Sequence, residues 1–232
     1  MVKTALERAA SKKDRNRIMQ IGILGTGMVG ETIGTKLVEL GHQVMMGSRT
    51  PDNKKAAAWA SKNGVGASQG TFADAAAYSE MVFLCTKGEA TLQVIRTVGA
   101  DNFGEKVVVD VSNPLDFSGG KSPTLLICNT DSLGEQVQKA LPLAKVVKTL
   151  NTVNCEVMVN PAKANNPSML MSGNDPGAKA AVRALLRSFG WDDIIDLGDI
   201  KTARGTEMLL PVWLSLMTVI GNARFGFKIV GR

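Results

Sequence analysis

Residues 19–50, MQIGILGTGMVGETIGTKLVELGHQVMMGSRT, decide the fold. Ile21 to Leu24 reads as a short apolar strand and Gly25-Thr26-Gly27-Met28-Val29-Gly30 as a turn. A helix of about four turns follows, and a second strand, Gln43 to Met46, stops at Gly47-Ser48-Arg49. Strand, glycine turn, helix and strand in this order open a dinucleotide-binding unit. Gly25 permits the tight exit from the strand, Gly27 leaves room for a pyrophosphate to approach the backbone, and Gly30 lets the helix pack closely. Gly34 extends that close approach by one turn. Val29, Ile33, Leu37 and Leu40 share one helical face, which predicts burial against a sheet. The free amides at the helix start then point at the turn, where a phosphate would bind.

The end of the second strand indicates which dinucleotide. NAD-selective sites carry an Asp or Glu there for the ribose 2′-hydroxyl, but this chain has Gly47-Ser48-Arg49-Thr50. A hydroxyl followed by a guanidinium suits a 2′-phosphate instead, because the planar fork forms paired charge-assisted bonds to phosphate oxygens.

The chain has 232 residues and a formal charge of +6. Residues 1–20 carry six basic side chains and two acids, so most of the excess sits in the leading arm. With a single Tyr and few aromatic rings to stack bases, specific nucleic-acid binding is not expected. The arm, 1–18, has capping-box spacing at Thr4 and Glu7, reads as a short polar helix, and lacks the apolar segment of a secretory signal. Deleting residues 1–18 is expected to leave nicotinamide-cofactor affinity unchanged in a calorimetric titration, since the arm precedes the first strand and has little apolar surface. Cys85, Cys128 and Cys155 show no paired metal-type spacing, which predicts no metal site and a reducing, cytoplasmic setting.

Further along, helices are predicted over 51–63, 72–79, 89–98, 133–140 and 176–189, and strands over 81–85, 106–111, 145–150, 168–172 and 193–197. The alternation describes an α/β protein with a doubly wound, mainly parallel sheet. The expected division is a basic extension at 1–18, a Rossmann domain at 19–165 and a smaller, helical C-terminal part at 166–232. Ligands bind at the carboxyl ends of such strands, so Gly25, Ser48, Thr86, Asn113 and Asn151 should line one crevice. The last helix, from Thr206 to about Ile220, is apolar almost all round but too short to cross a bilayer. Pro211 should kink it or mark its first turn.

Several apparent motifs carry nothing. Gly119-Gly120-Lys121-Ser122 lacks the first P-loop glycine, since Leu115 stands five positions before Gly120. The only histidine, His42, falls in the turn before the second strand, away from the crevice. Cys85 reads as a buried structural thiol. Dehydrogenases of alcohols and hydroxy acids need a group that moves a proton with the hydride. Transfer between two heterocyclic coenzymes needs chiefly stacking, distance and exclusion of water. A crevice of Thr86, Asn113, Asn151 and Thr152 suits the second case.

These residues resemble the family of coenzyme F420-dependent NADP oxidoreductases from Met19 to Arg232. IGILGTGMVG with GSR, VVVDVSNPL at 107–115, VVKTLNTVN at 146–154 and the ending EMLLPVWLSLMTVIGNARFGFKIV carry the resemblance. It implies hydride exchange between NADP(H) and a deazaflavin or flavin coenzyme, and a homodimer. It also implies that Gly25, Thr26, Gly27, Met28, Val29 and Gly30 meet the pyrophosphate and that Ser48, Arg49 and Thr50 meet the 2′-phosphate. Thr86, Lys87, Asn113, Asn151 and Thr152 would then lie near the nicotinamide. Two rival functions remain open at this point: a nucleotide-sensing module that holds NADPH without turnover, and a reductase of imines or small carbonyl compounds. The C-terminal helix is the expected dimer contact, and neither a membrane nor a nucleic acid is an expected partner.

Overall fold

The computed structural model describes residues 17–120 and 123–231; the predicted polar helix of the arm lies outside the described residues. Short apolar, β-branched runs form the centre of the sheet: β1 (Gln20–Leu24), β4 (Met81–Leu84), β5 (Val107–Asp110) and β8 (Lys145–Thr149). These strands are buried on both faces, as parallel strands covered by helices must be. Outside them lie β2 (Gln43–Ser48), β3 (Ala67–Thr71), β9 (Met169–Gly173) and β10 (Ile194–Asp196). The order is β10-β9-β8-β5-β4-β1-β2-β3, so the chain leaves β1 in one direction and returns beside it with β4. The topological switch, where a crevice opens, is therefore between β1 and β4.

One face is covered by α1 (Met28–Glu39), α2 (Lys54–Asn63), α6 (Cys155–Val159) and α7 (Pro176–Ser188). The other carries α3 (Phe72–Tyr78), α4 (Gly88–Val98), α5 (Leu133–Ala140) and α8 (Ala203–Met208). Ile33 and Leu37 of α1 are fully buried and Val29 is half-buried, but Leu40 is exposed because the helix ends at Glu39. The helix predicted from Pro51 starts at Lys54, where the Asn53 side chain accepts from the Lys55 and Ala56 amides.

Within this sheet every pair is parallel except β8 with β9, where Val147 faces Gly173 and Thr149 faces Met171, and β6 (Leu115–Asp116) and β7 (Thr124–Leu125) form a separate antiparallel pair. The connection, residues 150–168, holds two short helical pieces, α6 and a 3-10 turn (Pro161–Ala164), and β9 re-enters at the end where β8 left. β9 and β10 continue the same sheet, and the division drawn at 165/166 falls between two of its strands.

The predicted last helix is two helices, α8 and α9 (Leu210–Ile220). Pro211 sits in the first turn of α9 and has no amide to donate to the Glu207 carbonyl, which separates the two. Only Leu210 and Trp213 of α9 are buried, while Val212, Val219 and Ile220 are exposed, Val219 to 85%. The chain then doubles back. Phe225 stacks on Trp213 with ring centroids 5.0 Å apart, and the Ser168 amide donates to the Phe227 carbonyl at 2.8 Å. Among the described residues no helix is long and apolar enough to cross a membrane.

Candidate functional site

The glycine turn comes out of β1 at the switch point. Gly25 has φ +135°, and a Cβ there would lie 2.5 Å from the Cys85 carbonyl oxygen, so no other residue fits without rebuilding the turn. A Cβ on Gly30 would lie 2.1 Å from the Gly25 oxygen. Gly27 differs: nothing lies within 4 Å of its missing Cβ, leaving open space directly before the helix. Gly34 serves another contact from the one its position suggests. A side chain there would strike the Trp59 ring of α2 at 2.8 Å rather than the sheet, and Trp59 Nε1 donates to Thr35 Oγ1 at 3.0 Å.

α1 starts without a side-chain cap, as do α4, α8 and α9. Side chains cap α2, α3, α5, α6 and α7: Asn53, Thr71, Ser132, Asn154 and Asp175. Gly27 supplies no side chain, and the first amide bonded within the helix is that of Glu31, to the Gly27 carbonyl at 2.9 Å. The amides of Met28, Val29 and Gly30 therefore face the open space with the positive end of the helix dipole. Met28 is exposed, and Thr26 and Val29 are half-buried. α4, on the other side of the switch, also begins without a side-chain cap, at Lys87.

Arg49 and Thr50 follow β2 and are both exposed. Arg49 pairs with no carboxylate among the described residues, and none stands between Gly47 and Thr50. Ser48 is turned inward, 2% exposed, and donates to the Thr50 carbonyl at 2.5 Å. It shapes the loop that presents Arg49 and does not offer its hydroxyl outward.

Thr86 follows β4, and its Oγ1 lies 2.8 Å from Thr91 Oγ1. The Thr91 proton goes to the Lys87 carbonyl at 3.1 Å, which leaves Thr86 as the donor of that contact. Lys87 is exposed at the mouth, 4.0 Å from the Glu89 carboxylate. Cys85 just before it is a poor nucleophile, since burial and then the Asp110 carboxylate push its thiol far up.

Asn113 and Asn151 face each other across the ends of β5 and β8. Asn113 Nδ2 donates to the Asn151 carbonyl at 2.9 Å, and Asn151 Nδ2 donates to Asn113 Oδ1 at 3.0 Å and to the Thr206 carbonyl at 3.2 Å. Asn151 and Thr152 are buried, and Asn113 is half-buried. Leu150, directly before, has φ +63°, a conformation a bulky residue adopts only when its surroundings impose it. Gly88 lets α4 approach this pair, for a Cβ there would lie 2.0 Å from the Asn113 oxygen.

Three further residues lie directly beneath. Asp110 ends β5, Lys148 is its register partner on β8, and Glu207 comes from α8; all three side chains are buried. The signal was present in the sequence as a charged residue at the same depth of two apolar strands, KVVVDVSN and KVVKTLN, but the partner from α8 was not visible there. His42 lies at the far end of the sheet, where its Nδ1 accepts from the Met19 amide at 3.2 Å and burial lowers its pKa.

The sequence profile described as "NADP oxidoreductase coenzyme F420-dependent" matches residues 20–114. The F420-dependent NADP reductase of Methanocaldococcus jannaschii is 30% identical over 221 residues, covering 91% of this chain and 98% of that protein. Rat metalloreductase STEAP3 is 29% identical over 199 residues, 84% of this chain but only 38% of its own length. The crystal structure of a candidate F420-dependent NADP reductase from Arthrobacter sp. FB24 is 48% identical, with a TM-score of 0.89 over 92% of this chain and 100% of that one. A reductive aminase from Aspergillus terreus shares the fold alone, at 17% identity and a TM-score of 0.62 over 88% of this chain and 63% of the aminase.

Proposed function

This chain belongs to the family of F420-dependent NADP reductases and is an NADP-dependent oxidoreductase, and we propose that its hydride partner is a second heterocyclic coenzyme of the deazaflavin or flavin class. The observation that carries the cofactor end is the uncapped start of α1 over open space, with an unpaired Arg49 at the end of β2. Bound NADPH supplies the hydride. The amides of Met28, Val29 and Gly30 hold its pyrophosphate, and Arg49 neutralises its 2′-phosphate. The Asn113–Asn151 pair, with Thr86 across the switch, forms the floor for the nicotinamide. Asp110, Lys148 and Glu207 are sealed beneath that floor and bonded to one another, and Lys87 at the mouth stands beside the Glu89 carboxylate, so the reading relies on placement rather than on an acid or base. The M. jannaschii relative is named for F420, which makes a deazaflavin the first acceptor to test.

The experiment is NADPH oxidation by the purified protein with F420, FMN, FAD and a set of imines. Turnover with F420 or a flavin is the expected result. Turnover with imines alone, or NADPH binding without oxidation by any acceptor, would replace this reading with one of its two rivals.

We also propose that the protein is a homodimer through α9. Val212, Val219 and Ile220 are exposed there, while Trp213 Nε1 is buried with no acceptor among the described residues. A second copy of the helix would cover this apolar face in a two-fold contact. Light scattering at micromolar concentration is expected to give twice the chain mass. Val219→Glu should yield monomer or insoluble chain, because burying an unpaired carboxylate in the contact costs several kcal/mol, whereas Trp213→Glu would first disturb the chain's own stack on Phe225. A wild-type monomer would refute the dimer.

A further inference from the structure

We infer that Lys148, Asp110 and Glu207, none of which reaches the crevice, act as a positioning unit that holds the Asn113–Asn151 pair in place for the nicotinamide half of the cofactor. The inference rests on the NADPH reading above.

The geometry is a closed ring of bonds. Lys148 Nζ donates to Asp110 Oδ2 at 2.9 Å, to the Ser112 carbonyl at 2.7 Å and to Glu207 Oε1 at 2.8 Å, which uses all three of its protons. Asp110 Oδ1 accepts from the Ser112 amide at 2.9 Å and from its hydroxyl at 2.6 Å. Ser112 is the neighbour of Asn113, Asn113 is bonded reciprocally to Asn151, and Asn151 donates to the carbonyl of Thr206. Thr206 is the neighbour of Glu207, which returns to Lys148. Glu207 also accepts from the Leu133 and Gly134 amides, at 2.8 and 2.9 Å, and so ties α8 to the start of α5.

Stability alone does not explain such a ring. A buried ion cluster is often matched in stability by apolar side chains of the same volume, while its directional bonds fix distances between the groups they join. Here the fixed distances are those between the ends of β5 and β8 and the first residues of the C-terminal helices. Those are the segments that carry Asn113, Asn151 and Thr206. Leu150, between Lys148 and Asn151, has φ +63°, and its amide points to Met169 Sδ at 3.3 Å.

The test separates the two halves of the cofactor. The triple variant Lys148→Met/Asp110→Asn/Glu207→Gln removes the charges together and leaves no lone buried ion. Glu207→Gln alone keeps the Lys148–Asp110 pair and serves if the triple variant does not fold. Dissociation constants are measured for NADPH and for adenosine 2′,5′-bisphosphate, which has the 2′-phosphate but no nicotinamide. In the triple variant NADPH should weaken about ten-fold, equivalent to about 1.4 kcal/mol, and the bisphosphate by less than about two-fold. Glu207→Gln should show the same asymmetry at about three-fold for NADPH. Equal weakening of both ligands, or no change in either, would overturn the inference, since a general structural role moves both together. Wild-type protein that binds the bisphosphate but not NADPH would overturn it as well. NADPH binding without hydride transfer would overturn the proposed function and leave this inference standing.

Discussion

Arg49→Ala is expected to weaken NADPH binding about ten- to hundred-fold while changing NADH by less than about three-fold, the loss of one or two charged hydrogen bonds. Arg49 is exposed, unpaired among the described residues, and stands beyond a strand end that offers no carboxylate to a ribose hydroxyl. Its guanidinium is thus free to meet the 2′-phosphate, and only the phosphorylated cofactor should feel its removal. The effect should also shrink as salt rises, because an exposed ion pair is screened within about 8 Å at physiological ionic strength. Parallel titrations of both cofactors at two salt concentrations give the answer. Equal weakening of NADPH and NADH would make Arg49 a structural residue.

Lys148→Met is expected to destabilise the fold by about 3–5 kcal/mol, because two carboxylates would remain buried without their counter-ion. The triple neutral variant should lose far less. Burial alone would lower the pKa of Lys148, but the Asp110 and Glu207 carboxylates outweigh it and hold the ammonium above its ordinary value. A group raised in this way contributes stability that is complete below its unfolded pKa and is lost as pH rises through the folded one. Denaturant melts should therefore show an alkaline loss of stability above the ordinary lysine range in wild type that is absent from the triple variant. A single variant that melts like wild type would mean that water reaches the cluster.

What the sequence disclosed follows from how local the signals are. Gly25, Gly27 and Gly30 act within one turn of chain, so their spacing and flanks disclosed the fold and the place of its switch point. β3 escaped notice because an edge strand bonded only to β2 needs no apolar pattern, and ASQGT has none. Gly34 could be recognised as a close approach, but not that Trp59, 25 residues on, is what approaches. The break between α8 and α9 was legible at Pro211, whereas the exposure of Val212 and Val219 depends on which neighbours the fold supplies. Asp110 and Lys148 are charges in apolar strands, but what they do depends on Glu207, 59 residues beyond Lys148, and no local pattern links them.

The most direct test of hydride transfer between two coenzymes is anaerobic mixing of the protein with F420 and NADPH carrying deuterium at nicotinamide C4, in separate preparations for each face. The expected result is stoichiometric NADPH oxidation with the label recovered on carbon in the reduced deazaflavin from one preparation only. NADPH that binds but is oxidised neither by F420 nor, in parallel mixing, by FMN or FAD, or label that appears in water and not in the deazaflavin, would contradict this account.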